Sequence, residues 1–139
     1  MGVKKDERVQ VWVDDDTLEI GKLLVKEIHD IGAIALLVIF PDSVRPIHKY
    51  PNVLLNTAKD TDAVIIILSK IYDEEHDANL SAFPVFFEHG ARLAFTFDSN
   101  MDIMKHEMTA DYKEIDELSD KIARILTDGK SVVVKTKLG

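Results

Sequence analysis

Ala33 to Phe40 is a run of eight residues without a polar side chain, closed by Gly32 on one side and Pro41 on the other. A run this short is far below the roughly 20 residues of a membrane helix, and its β-branched content and turn-forming flanks read as a strand buried on both faces. Ala63 to Leu68 repeats the pattern. Strands of this kind belong to parallel sheets covered by helices on both sides, which restricts the chain to an α/β architecture before any other residue is considered.

The remaining periodicities agree. Val9, Val11 and Val13 alternate with Gln10 and Trp12 and stop at Asp14, Asp15 and Asp16, a first strand ending in three carboxylates. From Thr17 the spacing becomes helical: Ile20, Leu24, Ile28 and Ile31 form one face and Glu19, Lys22, Lys26 and Asp30 the other. Asp16 or Thr17 caps this helix and Gly32 ends it. Pro41, Pro46 and Pro51 make residues 41–51 an extended loop, followed by a short helix from Asn52 to Lys59. Ser69 to Asn79 reads as a polar loop, Ser81 to His89 as a helix with Pro84 in its first turn, and Arg92 to Phe97 as a fourth strand. Ile115, Leu118, Ile122 and Ile125 draw an apolar stripe on a further helix stopped by Gly129, and Val132 to Val134 form a fifth strand. The expectation is a three-layer α/β/α, Rossmann-like (flavodoxin-like) single domain over 1–139 with a mostly parallel five-stranded sheet. The strand orders 2-1-3-4-5 and 3-2-1-4-5 fit it equally.

Composition narrows the function. Seventeen Lys and Arg against twenty-five Asp and Glu leave a net charge of −8, which argues against nucleic acid and anionic membrane as partners. The absence of cysteine removes disulfides, thiolate metal sites and cysteine nucleophiles, in keeping with a cytoplasmic location. Met1 to Arg8 is charged with no apolar segment behind it, so no signal peptide is expected.

In folds of this class ligands sit at the carboxyl ends of the strands. That places Asp14, Asp15, Asp16, Ser69, His76 and Asp98 as the candidate binding residues, with no catalytic and no metal-ligating residue assigned. Adjacent carboxylates opposite Asp98 suit a hard divalent cation, but acids after a strand also cap and complement the following helix, and that reading weighs more. The acidic turn resembles that of phospho-receiver domains. The third strand, however, ends Leu68-Ser69-Lys70 where a receiver needs an aspartate, and Phe97-Asp98 stands where it needs a lysine. No G-x-G-x-x-G, P-loop or G-x-S-x-G is present, and His106-Glu107 reaches Ala110 rather than the second histidine of a zinc-protease helix.

One pattern spans almost the whole chain. V-W-V-D-D-D-T, then I-G-A-I-A-L-L-V-I-F-P, then P-N-V-L-L-N-T-A-K-D-T-D-A-V-I-I, with Gly90-Ala91-Arg92, Asp111-Tyr112 and the closing V-V-V-K-T-K-L-G, resembles the N-terminal domain of the thermophilic metallo-aminopeptidases. These are the leucyl aminopeptidase-like group of aminopeptidase T and aminopeptidase S. The family's His-Thr pair ahead of G-A-R is replaced by Asn79-Leu80, with His76 three residues too early. The resemblance implies a non-catalytic domain that shapes the substrate cavity and a homodimer. In the family, two divalent metal ions are held by Glu, His, Tyr and Asp residues of a C-terminal catalytic domain, which would be this chain's partner within the same polypeptide. The alternatives are a stand-alone domain binding a small molecule or divalent cation at the strand ends, and an interaction module that docks a basic partner on the acidic segment 98–120.

Overall fold

A computed structural model describes residues 1–107 and 109–137, with the Glu107 side chain left aside. The chain divides into two compact units, Met1–Met104 and Lys105–Gly139.

The first unit is built on four parallel strands, β1 (Arg8–Asp14), β2 (Ile34–Phe40), β3 (Ala63–Ile67) and β4 (Arg92–Thr96), in the order β2-β1-β3-β4. Of the two candidate orders the structure has the beginning of 2-1-3-4. Because β1 and β3 are central, Val9 to Asp14 and nearly all of β3 are buried, as the unbroken apolar run of β3 requires. The other such run is corrected: β2 is an edge strand rather than one buried on both faces, and with no strand beyond it Ile34, Leu36 and Ile39 stay exposed.

Two apolar clusters cover the sheet, one per face. On one side α1 (Leu18–Asp30) lays Leu24, Val25 and Ile28 over Val9, Val11, Val13 and Ala63. Gly21 permits this contact: a Cβ there would stand 2.7 Å from Val13 Cγ1 and 3.0 Å from Leu37 Cδ1. The helix stops as its sequence predicts. Gly32 adopts φ 88°, and the N–H groups of Gly32 and Ala33 return to the carbonyls of His29 and Ile28. On the other face α2 (Asn52–Leu55) and α3 (His76–Glu88) bury Leu54, Ala78, Ala82 and Phe86 against Trp12, Phe40, Val64 and Ile66. Trp12 is fully buried, edge-on to Phe40 and Phe86, and its Nε1–H donates to Gln10 Oε1 at 2.9 Å.

Several expectations are corrected. The helix expected from Asn52 to Lys59 is a single α-turn to Leu55, then a separate 3-10 turn at Ala58–Asp60. The helix expected to start at Ser81 begins at His76, inside the segment read as loop. Its register is carried by Ala78, Ala82 and Phe86, two of them alanines that give little apolar signal in an acidic context. Ser81 is therefore no cap; its hydroxyl donates to Ala78 O at 2.8 Å. Pro84 lies in the helix interior rather than the first turn.

The second unit holds the C-terminal part of α4 (Met101–Glu107) and α5 (Tyr112–Asp128). Asp111 caps α5 by accepting from the N–H groups of Lys113 and Glu114. The stripe Ile115, Leu118, Ile122 and Ile125 is present as read, and all four are exposed. Val132 to Val134 do not form the expected fifth strand: they pair with nothing in the sheet and are 65–79% exposed. Three apolar residues specify a preference for extended backbone but no partner edge, and a strand without a partner has no ladder to stabilise it. No described helix is long and apolar enough to cross a membrane.

Candidate functional site at the strand ends

The order β2-β1-β3 creates a topological switch at the carboxyl end of β1, the place where such sheets take ligands. Asp14, the last residue of β1, is there and is wholly buried. Its Oδ1 accepts from the Thr17 N–H at 3.1 Å and lies 2.8 Å from the Thr17 hydroxyl, whose single proton also has Ile67 O within 2.7 Å. Its Oδ2 accepts from Ser69 N–H at 2.7 Å, Ser69 Oγ–H at 2.9 Å and Arg45 Nη1–H at 2.7 Å.

Arg45 fills the crevice. Its side chain is 1% exposed and makes four hydrogen bonds, out of the five N–H donors that a guanidinium carries. Beyond Asp14, Nε–H donates to Glu75 Oε1 at 3.0 Å, and Nη2–H donates to Glu75 Oε2 and to Lys70 O, both at 2.8 Å. This fork on Glu75 is the bidentate arrangement in which a planar guanidinium and a carboxylate are best matched. The guanidinium carbon lies 4.7 Å from the centre of the Tyr72 ring, and Glu75 Oε1 also accepts from the Ile47 N–H at 2.9 Å.

The electrostatics follow from this packing. Burial opposes ionisation of Asp14, but the donors of Thr17 and Ser69 outweigh it and hold the carboxyl below the usual carboxylate range. Burial likewise opposes the Arg45 charge, and Glu75 with Asp14 more than restores it, raising Arg45 above its ordinary value. Beside the clasp, burial pushes the Tyr50 phenol up; its hydroxyl donates to Asn79 Oδ1 at 2.8 Å. Among the described residues no buried side-chain nitrogen or oxygen lacks a hydrogen-bond partner.

Of the six candidate binding residues, the structure brings two together, Asp14 and Ser69. Asp15 is exposed and accepts from the Asp42 N–H at 2.9 Å, which ties the turn after β1 to the one after β2. Asp16 is exposed at the start of α1, His76 is exposed at the start of α3, and Asp98 is exposed after β4 with φ 53°. Thr17, as N-cap residue, makes no side-chain cap; its hydroxyl is committed to the strand ends instead. Sequence reasoning missed Arg45, Glu75 and Tyr72. Arg45 sits in a proline-rich loop and Glu75 is the third of three consecutive acids, so neither stands out from its neighbours.

The six residues do not fit a two-metal centre. Asp14 has both oxygens saturated by internal donors, and no three His, Asp or Glu residues among those described converge on one point. What the arrangement does chemically is bind the 41–47 loop and the turn after β3 to the end of β1 through one guanidinium. No family model matches the chain, and no curated protein matches it.

Proposed function

We propose that this chain is a non-catalytic α/β domain, and that it serves as the N-terminal domain of a metal-dependent, aminopeptidase-like hydrolase whose substrate cavity and dimer it helps to shape. The observation that carries the non-catalytic part is the Asp14–Arg45–Glu75 clasp. Where a ligand would enter between β1 and β3, the chain places its own guanidinium, and the acids there are occupied by it and by neighbouring donors. The peptidase part is supported by the sequence resemblance, whose order of motifs runs through β1, β2 and β3 and their turns. In this reading the two divalent metal ions, and the water they would activate, belong to a C-terminal catalytic domain of the same polypeptide.

The test has two arms. This chain, given Mn²⁺, Co²⁺ or Zn²⁺, is expected to leave aminoacyl-4-nitroanilides intact, whereas hydrolysis that stops on adding a chelator overturns the non-catalytic reading. The reading frame beyond Gly139 is expected to encode Glu, His and Asp ligands and to confer chelator-sensitive hydrolysis on the longer protein. A frame that stops at Gly139 removes the peptidase reading and leaves the clasp untouched.

A further inference from the structure

Every residue from 109 to 137 is exposed, the whole of α5 included. Along one face of that helix Ile115, Leu118, Ile122 and Ile125 are 47–65% exposed. A helix of 17 residues is marginal in water by itself, and helices of this length draw their stability from burying an apolar stripe. The stripe on α5 therefore needs a cover.

Two patterns are centred on the same residue. The stripe advances by three, four and three positions, so it reads the same in both directions about Asp120, which is also the midpoint of Tyr112–Asp128. Charge divides at that point too. Residues 111–120 carry five acids and one lysine, a net charge of −4. Residues 121–137 carry Lys121, Arg124, Lys130, Lys135 and Lys137 against the single acid Asp128, a net charge of +4. The segment 111–137 is thus neutral as a whole in a chain of net charge −8, but its two halves are opposite in sign.

We propose that α5 pairs with the α5 of a second copy of this chain, antiparallel, about a two-fold axis at Asp120. Alternating steps of three and four are the spacing of a helix-on-helix seam. Antiparallel pairing sets Ile115 against Ile125 of the second copy and Leu118 against its Ile122, and it lays each acidic half on the basic half of the other copy. Parallel pairing would bring like charges together along the whole length. A partner of one charge sign would suit one half of α5 and oppose the other, whereas a second copy suits both. The overlap is 17 residues, about 25 Å, which makes this a small and reversible contact rather than an obligate one. It gives the dimer of the proposed function a surface but rests on α5 and its flanks, so it stands or falls apart from the peptidase reading.

Sedimentation equilibrium of the whole chain is expected to show a reversible monomer–dimer equilibrium. Leu118→Asp, which puts a carboxylate into the seam, is expected to raise the dissociation constant at least about tenfold. Trp12 emission checks that this exposed substitution leaves the first unit folded. Two double variants test the charge pattern, Lys121→Glu with Arg124→Glu and Glu114→Lys with Glu117→Lys. Each is expected to self-associate less than wild type, and a mixture of the two to associate more tightly than either alone, a recovery that a loss of folding would not produce. The chain has no cysteine, so disulfide trapping reads the orientation. Ile115→Cys and Ile125→Cys proteins are expected to cross-link to one another when mixed, and neither to itself. A chain that stays monomeric up to its solubility, a dimer indifferent to Leu118→Asp, a mixture no tighter than its components, or single-cysteine variants that link to themselves would each overturn the proposal.

Discussion

Replacing Arg45 by methionine isolates the charge of the clasp from its packing, because the side chain keeps an unbranched apolar stem of similar reach. Wild-type Arg45 makes four hydrogen bonds, three of them to carboxylate oxygens, at 2.7–3.0 Å. In Arg45→Met, Asp14 keeps the donors of Thr17 and Ser69, while among the contacts described Glu75 keeps only the Ile47 N–H. A buried pair broken from one side costs about 3–5 kcal/mol, because the surviving acid is left without its compensating charge. That is a large part of the roughly 5–15 kcal/mol that holds a domain folded. For a unit of this size, about 4 °C per kcal/mol translates the loss into a fall in Tm of at least roughly 12 °C. Chemical denaturation followed by Trp12 fluorescence reads the change directly, since Trp12 is the chain's single tryptophan and is buried in the core. Adding Glu75→Met to Arg45→Met is expected to recover part of the loss by removing the stranded acid, a non-additivity that a double-mutant cycle measures. An Arg45→Met protein within about 1 kcal/mol of wild type would show that the clasp is not what holds the strand ends together.

Two other outcomes follow from the same geometry. The folded-state pKa of Asp14 is depressed, so its contribution is fully present above the ordinary value near ~3.9 and is lost as pH falls through the depressed one. Urea midpoints are expected to decline below about pH 4 in wild type and to decline less steeply in Asp14→Asn; identical slopes would remove Asp14 from the account. Gly21→Ala gains about 1 kcal/mol of helix propensity but places a methyl 2.7 Å from Val13 Cγ1, where overpacking costs about 1–3 kcal/mol. Thermal melts are expected to show net destabilisation, and a raised Tm would mean that α1 can move off the sheet without loss.

How far the sequence carries is clearest at the strand ends. Asp14 and Ser69 were accessible because each directly follows or closes an apolar run, and the end of a strand in a parallel sheet has one location in the fold. Asp15, Asp16 and Asp98 come just after a strand and His76 lies further along the segment after β3, yet all four stand exposed and outside the clasp, since following a strand fixes the end of the sheet and not the direction of a side chain.

The α/β class, the four sheet strands, the extent of α1 and its glycine stop follow from local chemistry: apolar periodicity, and the left-handed backbone that Gly32 accepts at little cost. These features need no knowledge of what lies across the molecule. Arg45 meets Asp14 across 31 positions and Glu75 across 30, and nothing local distinguishes that arginine or that acid from its neighbours. The tertiary structure also decided that α3 starts at His76, because the alanines that bury it become informative only against Trp12, Val64 and Ile66. It decided likewise that Val132 to Val134 take no place in the sheet, for a strand is defined by the edge it pairs with. Local periodicity dictates which elements form; which polar groups meet, and which edges remain open, depends on packing between segments remote in the chain.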